Sequence, residues 1–94
     1  YVDCEKNVTQ NKIIRKLKSF YKKDHFVKIL KKDQSISTND VINTNNCVIS
    51  VCKSSVQNKL IILSSIDNLI KGGAGQAIQN LNIKFNFPKK MALI

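Results

Sequence analysis

The chain is short of several residue types, and each shortage narrows what it can be. Its 94 residues include only three glycines, one proline and one histidine, and no long apolar run. The longest run, Leu60 to Leu63, falls far short of the roughly 20 apolar residues that span a bilayer. No membrane partner is expected. No charged-then-apolar leader stands at the N-terminus, and the first residue is Tyr1 rather than Met. The expectation is a cytoplasmic chain without a signal peptide, either processed or a piece of something longer.

Arginine is nearly absent. Of 16 basic residues only Arg15 is arginine; with 6 acidic residues the formal net charge is +10. Such a balance first suggests nucleic acid or an anionic surface. Arginine is the preferred fork for bases and phosphates, so its scarcity argues against that reading. Enrichment in Asn and Ile beside Lys reads as compositional drift, and no nucleic-acid partner is expected. The alternative is a free-standing basic nucleic-acid-binding module, which requires the lysines of 12–32 to form one contact surface.

Cysteine is scarce and badly spaced for chemistry. Cys4, Cys47 and Cys52 are odd in number and include no Cys-x-x-Cys. Cys47 and Cys52 lie five apart in an expected strand and so point to opposite faces. Neither a disulfide nor a metal site is expected, and the thiols read as buried or incidental. His25 has no acid–base partner nearby beyond Asp24, and adjacency in sequence does not orient an imidazole.

What remains suits one small globular domain: 43% of the residues are hydrophobic. Tyr1 to Glu5 reads as the tail of a strand. Thr9 can cap a helix and Val8 can staple to Ile13. Ile13, Ile14, Leu17, Phe20 and Tyr21 then recur at helical spacing, with lysines on the other face. His25–Leu30 reads as a short strand. Residues 31–46 read as a polar loop with a short extended piece at Asp40-Val41-Ile42. Cys47–Cys52 and Lys59–Ile66 read as an antiparallel hairpin. Both strands carry apolar residues on both faces, which calls for more cover than one helix supplies.

All three glycines fall in one stretch, at 72, 73 and 75, where a helix should begin. A glycine inside a helix costs about 1 kcal/mol relative to alanine, so three together need a reason. Two are available: a backbone with positive φ, or a backbone that something approaches closely. Free N–H groups at such a helix start could meet a polar or anionic group. Ala74, Ala77, Ile78, Leu81 and Phe85 form a narrow apolar stripe beyond it. Pro88 and Lys89-Lys90 end the helix. Gly73-Ala74-Gly75 matches the dinucleotide fingerprint poorly, because its third glycine position is Ile78 and no acidic ribose ligand follows. It is not a P-loop, since Lys71 precedes the glycines.

Ile66-Asp67-Asn68-Leu69-Ile70-Lys71-Gly72-Gly73-Ala74-Gly75-Gln76-Ala77-Ile78-Gln79-Asn80-Leu81-Asn82 closely resembles the terminal motif of N-acetyl-gamma-glutamyl-phosphate reductases, approximately I-D-N-L-V-K-G-A-[AS]-G-Q-A-V-Q-N-M-N. Phe20-Tyr21 through Phe26-Val27 resembles the family's F-Y-x-x-x-x-F-V, and Asn46-Cys47 resembles its S-N-x-C strand. Aspartate-semialdehyde dehydrogenases carry a looser version, from which Gln76 to Asn80 departs. At the tail the family reads F-G-[LF]-P-E with a later Gly. Here Asn86 replaces the Gly, Lys89 the Glu and Ala92 the later Gly.

The resemblance implies a cytoplasmic, NADPH-dependent reductive dephosphorylation in arginine biosynthesis. A cysteine thiolate attacks an acyl phosphate and hydride reduces the thioester to a semialdehyde. It also implies an α+β fold: an antiparallel hairpin and sheet belonging to a glyceraldehyde-3-phosphate dehydrogenase-like catalytic domain, plus a C-terminal helix that packs on a dinucleotide-binding domain. Residues 1–66 would belong to the catalytic and oligomerisation domain, and residues 67–94 would return to the nucleotide-binding domain. Gln76 would lie near the nicotinamide carboxamide of NADP. Gly73, Ala74 and Gly75 would give the ring clearance, with Asn68 nearby. The family's glycine-rich turn, nucleophilic cysteine and catalytic histidine match nothing in residues 1–94, so this chain alone is expected to be inactive. Its partners would be the remainder of the reductase and further copies in a homo-oligomer.

Overall fold

Thr9 opens the first helix. Its Oγ1 accepts the Lys12 N–H at 3.2 Å, satisfying a donor that the first turn would otherwise leave free. In the computed structural model, which describes residues 1–94, helix α1 runs Gln10–Phe20. Ile14 is its buried centre, packed with Val51 and Leu60; Ile13, Leu17, Ile29 and Cys4 border this cluster. Gln10 Nε2 donates to the Val51 carbonyl at 2.8 Å and ties the helix start to the sheet. Phe20 does not join the buried face as the spacing predicts. It is 79% exposed, because the core beneath α1 reaches no further along the helix than Leu17.

The sheet has four strands, β1 (Val2–Asp3), β2 (Val27–Ile29), β3 (Cys47–Lys53) and β4 (Lys59–Ile66), in the order β1-β4-β3-β2. Strands β3 (Cys47–Lys53) and β4 (Lys59–Ile66) form the expected antiparallel hairpin, with Cys47 opposite Ile66 and Lys53 opposite Leu60. Strand β2 is shorter than its apolar run, Val27–Ile29, and pairs parallel with β3. A parallel neighbour needs a crossover, which explains the length of the polar segment before β3. The extended piece expected at Asp40-Val41-Ile42 is instead a 3-10 turn, Thr38–Asp40. Ser37 Oγ accepts the Asn39 N–H and Asp40 Oδ2 accepts the Ser37 N–H. Such local side-chain partners compete with strand pairing and win here.

Strand β1 (Val2–Asp3) meets β4 only at Lys59 and Leu60, where an Asp3–Lys59 ion pair holds it. The outer edge of β4 from Ile61 to Ile66 therefore has no strand beside it. Ile62, Leu63 and Ile66 on that strand are exposed.

After β4 the chain makes a π-helical turn, Ile70–Ala74, that kinks at Gly73 and continues as helix α2, Gly75–Lys84. The buried residues of α2 are Gly75, Gln79 and Asn82, while Ile78, Leu81 and Phe85 of the expected apolar stripe are exposed. The helix turns its polar side inward. Asn82 Nδ2 donates to the carbonyls of Lys89 and Met91, at 3.1 and 2.9 Å, and so folds the tail back along the helix.

The dimensions agree with a shape built to be covered. The accessible surface is 6928 Å², against roughly 5,500 Å² for a monomer of this mass. The radius of gyration is 15.0 Å, against about 12 Å for a compact domain of this length. Only six hydrophobic side chains are buried: Ile14, Phe26, Val41, Val48, Val51 and Leu60.

Both tail positions where the resembling family has glycine take a left-handed backbone: Asn86 and Ala92, each with φ 58°. Asparagine tolerates that region and closes α2; alanine does not. Ala92→Gly should raise stability by about 0.5–1 kcal/mol and Asn86→Ala should lower it by about 1 kcal/mol. Urea denaturation measures both, and a lowered midpoint for Ala92→Gly would rule out strain at that turn.

Candidate functional site

The stretch between β4 and α2 is organised by Asp67. Its Oδ1 accepts the N–H groups of Leu69 and Ile70 at 2.9 and 3.2 Å, and its Oδ2 accepts the Asn43 N–H at 2.8 Å. These backbone donors, that of Asn43 first, hold the carboxyl below the ordinary 3.8. Gly72 donates to the Asp67 carbonyl at 3.1 Å, and Gly75 donates to Ile70. The amides of Leu69, Ile70, Gly72 and Gly75 are therefore bonded within the chain. The expectation of free N–H groups awaiting an anion fails for these four, because Asp67 and Ile70 reach them first.

The glycines separate into three cases. None has positive φ, so the turn explanation is removed and close approach remains. At Gly72 a Cβ would stand 2.7 Å from Asn68 Oδ1, the side chain that folds over it. At Gly75 a Cβ would overlap Asn45 Oδ1 and stand 2.6 Å from the Ile70 carbonyl oxygen. Gly73 is exposed, and a Cβ there would meet only the Asn68 carbonyl oxygen at 3.5 Å, an ordinary contact.

Of the five residues expected to line a cofactor, Asn68, Gly73 and Ala74 are exposed and Gln76 is half-buried on one open terrace. Gln76 Nε2 donates to Asn80 Oδ1 at 3.0 Å. Gly75 faces inward, and its clearance is taken by Asn45. Shallow hollows flank the terrace. One, about 250 Å³, is bounded by Val41, Ile42, Ile66, Asp67, Asn68 and Leu69. The other, about 180 Å³, lies between Ala74, Ile78 and the tail residues Ala92 to Ile94.

Beneath the terrace lies a polar network of Asn45, Gln79 and Lys71, none of them among the five residues expected to line a cofactor. Gln79 Oε1 accepts from Asn45 Nδ2 at 2.9 Å and from Lys71 Nζ at 2.7 Å. Lys71 also sits over the Phe26 ring, 5.3 Å from its centroid. The Asn45 N–H donates to the Ile94 carbonyl at 2.8 Å, while Asn45 Oδ1 is buried and accepts nothing. The available signal was the spacing of Gly75, Gln79 and Asn82, which share one helix face. Cys47 is half-buried, and desolvation raises its thiol, partly offset by Lys71 and reinforced by Asp24. That setting disfavours a thiolate nucleophile. His25 is exposed and packs edge-on against Phe26.

A family model described as semialdehyde dehydrogenase, dimerisation domain, matches residues 1–68. Similar curated proteins include an N-acetyl-gamma-glutamyl-phosphate reductase of Halothermothrix orenii, 42% identical over 94 residues, covering 99% of this chain and 27% of that protein. One from Clostridium kluyveri is 49% identical over 82 residues, covering 87% of this chain and 24% of that protein. A probable chloroplastic N-acetyl-gamma-glutamyl-phosphate reductase of Oryza sativa subsp. japonica is 38% identical over 93 residues, covering 99% and 22%. The chain thus spans about a quarter of the length of these relatives.

Two outcomes follow from the turn geometry. Gly75→Ala should destabilise by about 1–3 kcal/mol through overlap with Asn45 and Ile70, whereas Gly73→Ala should change stability by less than about 0.5 kcal/mol; thermal melts of the pair compare them directly. The Asp67 carboxyl, followed by carbon NMR, should titrate below 3.8. Its folded-state pKa is depressed, so its contribution is present above the unfolded value and is lost as pH falls through the folded one. Loosening of the turn is expected only below about pH 4, and a midpoint at or above the ordinary value would contradict the three bonds.

Proposed function

The chain belongs to the semialdehyde dehydrogenase dimerisation-domain family, and from that premise we propose that it is the C-terminal portion of an NADPH-dependent N-acetyl-gamma-glutamyl-phosphate reductase. In that reading the whole enzyme converts the acyl phosphate to N-acetylglutamate semialdehyde in arginine biosynthesis, in the cytoplasm. The nucleophilic cysteine and catalytic histidine are supplied from outside residues 1–94. This chain completes the catalytic-domain sheet and lends one wall to the cofactor site.

The observation that carries the reading is the exposed turn at residues 68–76, where Gly73 leaves space that no side chain of this protein fills and the alanine of the resembling family would add only a methyl group. The surroundings fit the amide end of a nicotinamide. Asn68 and Gln76 bring carboxamides, Ile66, Leu69 and Ile42 border an apolar hollow beside them, and Ala74 adds only a methyl group. No comparable cluster of donors for the cofactor's phosphates accompanies them, so the remaining walls belong to the nucleotide-binding domain. Bound NADPH supplies the hydride; these residues orient the ring and limit water around it.

The uncovered apolar surface supports the proposed partners. Ile78, Leu81 and Phe85 on the outer face of α2 suit the nucleotide-binding domain, and the open edge and exposed side chains of β4 suit more sheet and a second copy. One feature favours the basic-module alternative: a cleft of about 410 Å³ lined by Arg15, Lys18, Lys31, Lys32, Asn11 and Ile14. It presents no aromatic platform for bases. A steep fall of RNA or DNA affinity with salt would favour that module, and no binding at low salt removes it.

In the complete polypeptide, Gln76→Ala should raise the KM for NADPH by about 3- to 10-fold while the fold stays intact, and Gly73→Ala, which installs the residue of the resembling family, should leave it within about twofold. Initial rates with the acyl-phosphate substrate and melts on the same samples check this. Unchanged cofactor kinetics in Gln76→Ala would remove that side chain from the cofactor site.

A further inference from the structure

Lys71 carries a full charge inside the polar network, and the carboxylate–cation pair of the chain lies elsewhere, between Asp3 and Lys59. Its recorded side-chain partners are Gln79 Oε1 and the face of Phe26. An ammonium group only donates, so Gln79 must turn its oxygen toward Lys71. That same oxygen faces Asn45, so Asn45 must answer with its NH₂ group. Its own oxygen is then left against Gly75 with no donor, in a side chain that is 0% exposed. A buried acceptor without a partner is unfavourable, and the two amides could avoid the present arrangement by turning over together. Gln79 Nε2 would then donate to Asn45 Oδ1, but it would also face Lys71 Nζ, donor against donor. The charge decides between the two states.

We propose that Lys71 is a positioning residue: through Gln79 it fixes the orientation of Asn45, and so sets how closely the Gly72–Gly75 turn lies against the sheet. Asn45 packs on Gly75 by its side chain, so its amide orientation bears on the start of α2, while its backbone N–H separately holds Ile94 at the end of the tail. The terrace of Asn68, Gly73, Ala74 and Gln76 is the outer surface of this same turn. Lys71 thereby acts on the cofactor wall without touching the cofactor, a consequence that rests on the reductase reading.

The test uses the complete polypeptide and two independent readouts. Lys71→Met should speed hydrogen exchange of the Gly72–Gln76 amides by about tenfold or more, from loss of a charge-assisted bond. It should raise the KM for NADPH about fivefold and leave kcat within about twofold. Lys71→Arg, which keeps a cation, should recover most of the exchange protection. Gln79→Glu presents two acceptor oxygens to the same two donors and should keep the protection, while Gln79→Leu, which accepts from neither, should lose it. Wild-type exchange in Lys71→Met, or equal exchange in Gln79→Glu and Gln79→Leu, overturns the proposal. If the unmodified protein shows no NADPH-dependent reductase activity, the reductase reading falls, and the exchange rates still decide the role of Lys71.

Discussion

Gln79 Oε1 takes the side-chain to side-chain hydrogen bond that ties residues 67–94 to the rest of the molecule, beside the Asn43–Asp67 and Asn45–Ile94 bonds. It takes two donors from different parts of the chain: Asn45, ahead of β3, and Lys71, in the turn after β4. The inner face of α2 contains no buried apolar side chain, only Gly75, Gln79 and Asn82. The hydrophobic effect, the usual force that docks a helix, is therefore missing on the side where this helix is docked. Hydrogen bonds replace it, at a net gain of about 0.5–1.5 kcal/mol each, rather more for the one from the ammonium. A few such bonds give a helix that is correctly oriented and only weakly held.

That weakness matches the other face. Leu81 and Phe85 point away from the chain, Ile78 borders the hollow beside the tail, and Phe87 stacks on Phe85 at 6.2 Å between centroids. A helix that is polar inside and apolar outside is inverted with respect to a free-standing domain and sensible for a segment sandwiched between two bodies. The sheet has a similar character, since β1 covers two residues of β4 and leaves the rest of its outer edge open. The surface in excess of a monomer's expected area, about 1,400 Å², exceeds the roughly 800 Å² that one partner contributes to a standard interface. Covering the outer side of α2 would supply the hydrophobic term that its inner side lacks.

Local chemistry made much of the fold legible in the sequence. The Thr9 cap, the Ile14-centred face of α1 and the β3–β4 hairpin each follow from a cap, a 3.6-residue period or an apolar run broken by a polar connector. The clustering of all three glycines marked the start of the second helix, and the resemblance attached expected roles to Asn68, Gly73, Ala74, Gly75 and Gln76. The failures have a common physical origin. Phe20, the 3-10 turn at Thr38–Asp40 and the polar inner face of α2 all depend on what lies across space from them. Period and polarity report which residues share a face; they do not report which face is covered. Asn45 was hidden for the same reason, because its partner Gln79 is 34 positions away.

The glycines and the asparagines divide the backbone's special demands between them. The five residues with positive φ are Asp33, Asn43, Asn58, Asn86 and Ala92, and none is glycine. Three of them are asparagine, the residue after glycine that best tolerates the left-handed region. Part of the chain's asparagine content thus serves turns, and drift alone does not account for it. Glycine, freed from that duty, appears at two of its three positions where a Cβ would obstruct something. At Gly72 the obstruction would be Asn68, and at Gly75 it would be Asn45 and the Ile70 carbonyl. At Gly73 no atom of the chain claims the space, and the resembling family carries alanine there, so this glycine answers neither a positive φ nor a crowded contact within residues 1–94.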